Sequence, residues 1–324
     1  MAAVKIAIVG DVLMKHPMIA SARRKGAKGF DFTPLFRPVR TLLRNADVTV
    51  GNLETTFSGY GGPGVKRNGY PTESVSRISR YVFNCPDELA PALKQAGFNV
   101  LVTANNHSMD GGSKGLMRTL AVLNRNGLKH TGTYHNVKGA GAPLIVRAGG
   151  MKIAILAYTK GTNSIPVPKP WMVNRIGSTE RISAMIRRLR GKTDFIIVYL
   201  HFGKEFRNYP SEREKKLMSR LLYQGANVVV GAHPHVLHPV RVIRSRDRDG
   251  KLRSRVAASS LGNFVSIKLR GREDTITGMI LELSVTKNAR SGADISGIRY
   301  IKTKVVRGGG RGFRVVPNQQ WQHK

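Results

Sequence analysis

The sequence predicts a layered α/β fold, and two observations carry that prediction. Six short apolar runs, IAIVG, VTVGNL, VLVTAN, FIIVYL, NVVVGA and VAASSLG, have the length and composition of buried strands. Segments of helical periodicity lie between several of them, and strands alternating with helices build layered α/β domains. A third observation concerns chemistry. Each run ends at a side chain able to hold a metal or handle a proton: Asp11, Glu54, Asn106 with His107, His201, His233 with His235, and Asn263. Ligands of open α/β sheets bind beyond the carboxyl ends of the strands, so these endings predict one converging site.

Strands are expected at 4–9, 47–51, 98–103, 151–157, 194–200, 227–231, 255–260 and 275–285. After the second strand, residues 58–70 hold five glycines and a proline, which predicts a mobile loop able to cover a site. A helix over 86–97 places Leu89, Ala90, Leu93 and Ala96 on one face and stops at Gly97. The next, 113–127, opens at a Ser113 cap, carries Leu116, Leu120 and Leu123, and ends at Gly127. APLIVRAGG running into MKIAILAY reads as a hairpin turning at Gly149–Gly150. A helix over 178–191 buries Ile182, Met185, Ile186 and Leu189 and turns its arginines outward. Residues 211–225 begin with Ser211 and Glu214 at capping-box spacing and end at Gly225.

Beyond about residue 270, TITGMILELSV and ISGIRYIKTKVV alternate as antiparallel strands do. The reading is therefore a domain over 1–268 and a C-terminal extension over 269–324, which completes the sandwich and ends in a flexible Gly/Arg-rich tail.

A chain of 324 residues is long enough to bury a large core. The lone Cys85 excludes a disulfide framework and a cysteine-rich zinc site, and reads as a small packed hydrophobe. No apolar run reaches the roughly 18 residues a membrane helix needs, and the N-terminus lacks signal-peptide features, so a cytoplasmic protein is expected. Fifty-four Lys and Arg against 19 Asp and Glu give a net charge of +35. Such a field attracts polyanions, nucleic acid among them. The basic residues are dispersed, with clusters at 187–190 and 241–255, and no aromatics interleave with them to form stacking platforms. Dispersed basicity is either a binding footprint or a habit of composition, and both readings stay open, as does the oligomeric state.

With only 19 acids in the chain, Asp11 and Glu54 directly after apolar strands stand out, although either can instead cap a helix or pair with an arginine. His233-Pro234-His235 is the sharpest local signal. Two imidazoles at i and i+2 after a strand can point into one space where the backbone turns, and neutral imidazole suits Zn, Mn and Fe. His201 and the Asn106–His107 pair join them. His16, His130, His135, His238 and His323 lie away from the pattern and read as packed or surface residues. The mixed oxygen and nitrogen donors are suited to one or two divalent ions. Two such ions clamp the attacking and leaving oxygens of a displacement, and a histidine that is not a ligand can protonate the leaving group. That is the design of a hydrolase, most naturally of phosphoesters.

The blocks GDVLM (10–14), GNLET (51–55), ANNHSMDGG (104–112), LAYTKGTN (156–163), LHFGKE (200–205), GAHPHV (231–236) and SLGNF (260–264) resemble the CapA family of poly-γ-glutamate capsule-synthesis proteins. The resemblance covers about residues 4–268. It implies the fold of calcineurin-like metallophosphoesterases, an α/β/β/α sandwich with a two-metal centre. It also implies Asp11, Glu54, Asn106, His201, His233 and His235 as metal ligands, with Glu54 bridging and His107 as the acid. Where those phosphoesterases have Asp-x-His, this chain has Asp11-Val12-Leu13, so one metal site lacks an imidazole; Glu205 is a candidate replacement or supporting group. The implied role is the making, export or processing of anionic polyglutamate. Two functions are expected to compete: a metal-dependent hydrolase of a phosphoester or polyanionic substrate, and a non-catalytic polyanion-binding accessory factor with a vestigial centre.

Overall fold

The computed structural model describes residues 3–24, 26, 28–59, 82–246, 250–288, 292–308 and 312–322. In chain order the strands are β1 (Ala3–Val12), β2 (Val48–Leu53), β3 (Val100–Val102), β4 (Lys129–Thr131), β5 (Leu144–Ala148), β6 (Met151–Thr159) and β7 (Phe195–His201). They continue with β8 (Val228–Ala232), β9 (Val240–Arg246), β10 (Leu252–Ala258), β11 (Asn263–Val265), β12 (Thr277–Asn288), β13 (Gly292–Arg307) and β14 (Phe313–Gln322). The α-helices are α1 (His16–Ser21), α2 (Thr33–Phe36), α3 (Arg40–Arg44), α4 (Leu89–Ala96), α5 (Gly112–Arg125), α6 (Thr179–Arg190) and α7 (Glu212–Gln224).

Two sheets result. The first runs β14-β13-β12-β1-β2-β3-β4, with β11 paired to the end of β1; the second runs β5-β6-β7-β8-β10-β9. β1 to β4 are mutually parallel, as are β6, β7, β8 and β10, whereas β5, β9 and β12 to β14 run antiparallel to their neighbours. Alternation along each strand sorts side chains between its two faces. On β1, Ile6 and Ile8 lie between the sheets with Val50, Val102, Ile155, Ile197 and Leu281. Ala7 and Val9 face the other way, onto a layer that includes Phe36, Leu43, Leu93, Phe98 and Leu123. On β7, Ile197 and Tyr199 face inward, while Ile196, Val198 and Leu200 pack against Ile182, Ile186, Met218 and Leu221 of α6 and α7. The layers are therefore α/β/β/α, as expected. Central strands covered on both faces read as continuous apolar runs, which is why they were visible in the sequence. Each fully buried Val, Leu, Ile or Phe contributes about 1.5–3 kcal/mol. The hydroxyl of Tyr199 reaches across the interface and donates to Val9 O at 2.8 Å.

Most local signals act as expected. Ser211 and Glu214 form the capping box of α7. Gly149 and Gly150, at φ 49° and 74°, make the two-residue turn between β5 and β6 that such a hairpin favours. Cys85 is buried in the outer core of the first sheet.

Three expectations need correction. α5 does not start at a Ser113 cap: Gly111 is its N-cap, and no side chain caps it. A Cβ on Gly111 would sit 1.9 Å from Ser58 Oγ, so the turn that leads into the helix requires a glycine there. The helix expected over 86–97 begins only at Leu89. The stretch at 313–322, expected as flexible tail, is β14, hydrogen-bonded along β13; Val315 is buried in the outer core of the first sheet. The glycine-rich loop lies outside the described residues from 60 onward. Among the described residues, no helix is long and apolar enough to cross a membrane.

Candidate metal centre

The site forms where the parallel strands of both sheets end. β1 brings Asp11 into register with Asn52 of β2 on one side and Asn263 of β11 on the other. The approach of β11 requires Gly10, since a Cβ there would lie 1.9 Å from Gly262 O. Glu54 follows β2, with its backbone N–H donating to Val12 O at 3.1 Å. Asn106 and His107 occupy the turn after β3, and His201 is the last residue of β7. His233 and His235 follow β8 with φ of 96° and 61°, left-handed conformations that side-chain-bearing residues seldom adopt. Observed strain of this kind clusters at functional sites. Here it turns both rings toward the ends of the opposite sheet.

The ligand atoms of Asp11, Glu54 and His201 lie within 4.8 Å of one another, as do those of Glu54, His233 and His235. Glu54 belongs to both groups and is fully buried, as is Asp11. His201 Nε2 is 3.5 Å and His235 Nε2 3.9 Å from Glu54 Oε1. His235 Nδ1 lies 3.0 Å from the acceptor Asn263 Oδ1, which places the ring proton there and leaves Nε2 with its lone pair toward Glu54. Asn52 Nδ2 donates to Asp11 Oδ1 at 2.8 Å and lies 3.3 Å from His201 Nδ1. Asn105 Nδ2 in turn donates to Asn52 Oδ1 and to Leu53 O, at 3.1 and 2.7 Å. Two adjacent asparagines thus have different tasks. Asn105 is consumed in holding the frame, whereas Asn106 donates to Asn163 Oδ1 at 3.0 Å and keeps its own Oδ1 free. His107 Nδ1 is 2.8 Å from Asp110 Oδ2, which also accepts the Phe83 N–H at 2.6 Å.

A divalent ion fits these residues. Glu54 Oε1 and Oε2, His201 Nε2, His233 Nδ1 and Asn106 Oδ1 are buried without hydrogen-bond partners. Buried polar atoms are normally satisfied, and a cation would satisfy this set together. The donors are mixed oxygen and imidazole nitrogen, suited to Mn, Fe or Zn. Burial, followed by repulsion from Asp11, raises Glu54 well above the usual carboxylate range. A bound cation reverses that preference. Burial first, then neighbouring imidazoles, pushes His201 well below its ordinary value and His233 down to about 4. Both are therefore neutral near pH 7, the form that ligates. Burial raises Asp110, while His107 and the Phe83 N–H oppose the rise by favouring the carboxylate.

Asp11, Glu54, His201, His233 and His235 are thus brought together, and Asn106 and His107 stand on the adjoining turn. Leu13 is buried with Phe83 and Leu269 and offers no ligand atom. Reading strand ends missed Asn52, Asn105, Asp110 and Asn163. All four lie inside the blocks GNLET, ANNHSMDGG and LAYTKGTN, but an amide or carboxylate that positions another side chain has no spacing of its own to reveal it.

The family described as "Bacterial capsule synthesis protein PGA_cap" matches residues 5–268. The capsule biosynthesis protein CapA of Bacillus anthracis is 28% identical over 263 residues, covering 80% of this chain and 58% of that protein. The PGA biosynthesis protein CapA of Bacillus subtilis is 27% identical over 259 residues, covering 79% of this chain and 62% of that one. The chain therefore spans about three fifths of the length of these relatives. Among solved structures, a 5'-nucleotidase precursor from Thermus thermophilus superposes with a TM-score of 0.52 at 14% identity, covering 98% of this chain and 55% of that one. That likeness concerns the fold, a sandwich of the metallophosphoesterase type.

Proposed function

The chain belongs to the bacterial capsule synthesis proteins, the CapA family, and from that membership we propose that it is a divalent-metal-dependent hydrolase acting on a polyanionic substrate, either a phosphoester or an anionic amide-linked polymer such as poly-γ-glutamate. One observation carries the reading: Glu54, with both oxygens buried and unpartnered, lies at the junction of two groups of ligand atoms. Asp11, Glu54, Asn106, His201, His233 and His235 would hold the ion or ions. When bound, a divalent ion would polarise a substrate oxygen and acidify a water near neutral pH.

The chain's own residues supply the rest. Asp110 fixes the His107 proton at Nδ1, so that Nε2 is the ring atom available for proton exchange; Nε2 lies 3.5 Å from Asn163 Nδ2. Doubly protonated, with its Nδ1–H held by Asp110, His107 would give its Nε2 proton to the leaving group as general acid and return to the neutral ring. Asn52 and Asn105 hold Asp11 and the end of β2 in place. The net charge of +35 favours encounter with a polyanion.

The test is elemental analysis of the purified protein, then a panel of phosphoesters and γ-glutamyl oligomers with and without chelator. Retained Mn, Fe or Zn, turnover that chelator removes, and loss of both metal and turnover in a folded Glu54→Gln variant are expected. A chain that neither retains nor takes up any of these ions overturns the proposal. The second reading, a polyanion-binding accessory factor, is favoured by Leu13 standing where an imidazole is expected. It predicts binding of polyglutamate or nucleic acid that weakens with salt and survives His233→Ala.

A further inference from the structure

Leu13 leaves no gap beside the ligands. It packs with Phe83 and Leu269, and Phe206 packs against the same cluster, so one side of the centre is an apolar wall. Two of its rings border the site: Phe83 lies 4.1 Å from the His107 ring and Phe206 lies 6.0 Å from the His235 ring, centroid to centroid. Each also carries a cation. Lys15 Nζ is 4.0 Å from the Phe83 centroid, and the Arg270 guanidinium carbon is 5.1 Å from the Phe206 centroid. Leu13, Phe83 and Leu269 are buried, Lys15 and Phe206 are half-buried, and Arg270 is exposed. Phe206 is therefore the part of the wall that meets solvent, and each of the two rings that border the site has a cation over it.

These cations differ from the dispersed basic residues of the surface. Among the described residues neither has a carboxylate at ion-pair distance, and each is oriented by a ring face instead. Arg272, 6.0 Å from Phe206, is by contrast committed to Asp274. Burial lowers the pKa of Lys15, while the charges of Glu54 and Glu205 oppose that shift. Glu205, half-buried on the same rim, repels an anion that approaches on its own side.

We infer that Lys15 and Arg270, held over Phe83 and Phe206, form an anion-recognition subsite, which clamps a carboxylate or phosphate group of the substrate while the apolar stem of that group lies against Phe206. The inference rests on the polyanionic substrate class proposed above, and adds the residues that would select it.

The test uses the full chain loaded with manganese and two probes, penta-γ-glutamate and phenylphosphonate, with binding followed by calorimetry in wild type, Lys15→Met, Arg270→Gln and Lys15→Arg. Each neutralisation is expected to weaken at least one probe about tenfold, the loss of one hydrogen bond to a charged group. Manganese content should stay unchanged, and Lys15→Arg should recover most of the affinity. The probe that responds identifies carboxylate or phosphate as the group held. Wild-type affinity in both neutralised variants, loss of manganese in either, or binding of neither probe by the wild type overturns the subsite. A wild-type chain without manganese whose probe binding still collapses in both variants fails the hydrolase proposal and upholds the subsite.

Discussion

Asp110 touches none of the candidate ligands, yet it decides which ring nitrogen of His107 carries the proton. Replacement by Asn keeps the shape and removes the charge that favours the Nδ1–H tautomer. Asp110→Asn is therefore expected to retain metal and lower kcat by about 10²-fold; metal content and kcat measured on one preparation check this. Leu13 is the complementary case. Leu13→His would return an imidazole to the first block, two residues after Asp11, and should raise the metal bound per chain in a titration with Mn or Zn. It also sets a polar ring among Phe83, Leu269 and Phe206, so a loss of about 1–3 kcal/mol in stability should accompany the gain.

At the scale of elements, legibility followed burial. Strands covered on both faces, β1, β2, β6, β7 and β8, were plain from their apolar runs. β9 was missed because VRVIRSR lies at a sheet edge, where its arginines read as a charge cluster. β14 was missed for the same reason, its two valines standing among arginine, proline and amides. His130, on the edge strand β4, tests an element directly. Burial first, and the nearby His135 second, lowers its pKa to about 4, whereas an imidazole in the unfolded chain titrates near 6.5. Between those values the unfolded chain binds a proton that the native one excludes. The contribution is intact above pH 6.5 and is lost as the pH falls toward 4, by up to about 3 kcal/mol. Urea midpoints across that window should fall less steeply for His130→Gln than for the wild type.

For the whole molecule, the two sheets meet across an apolar layer bridged by the Tyr199 hydroxyl at Val9 O. Tyr199→Phe keeps the ring and removes the bridge, and should cost about 1–3 kcal/mol in a denaturant titration without altering metal content. The sandwich and the convergence of carboxylates and imidazoles were readable because each donor follows its own strand. The frame behind them was not, because Asn52 and Asn105 act through partners 41 and 53 residues away.

The position of β1 between β2 and β12 has a consequence for biosynthesis. Once made, β1 keeps one edge open until the residues of β12, from 277 onward, arrive. Asp11 likewise waits for Asn263 to come alongside. Pairings over such separations form slowly and leave an apolar edge exposed to aggregation in the meantime. The candidate centre is therefore assembled only after most of the chain has been made, and a nascent chain that stalls early carries Asp11 without the neighbours that would surround it.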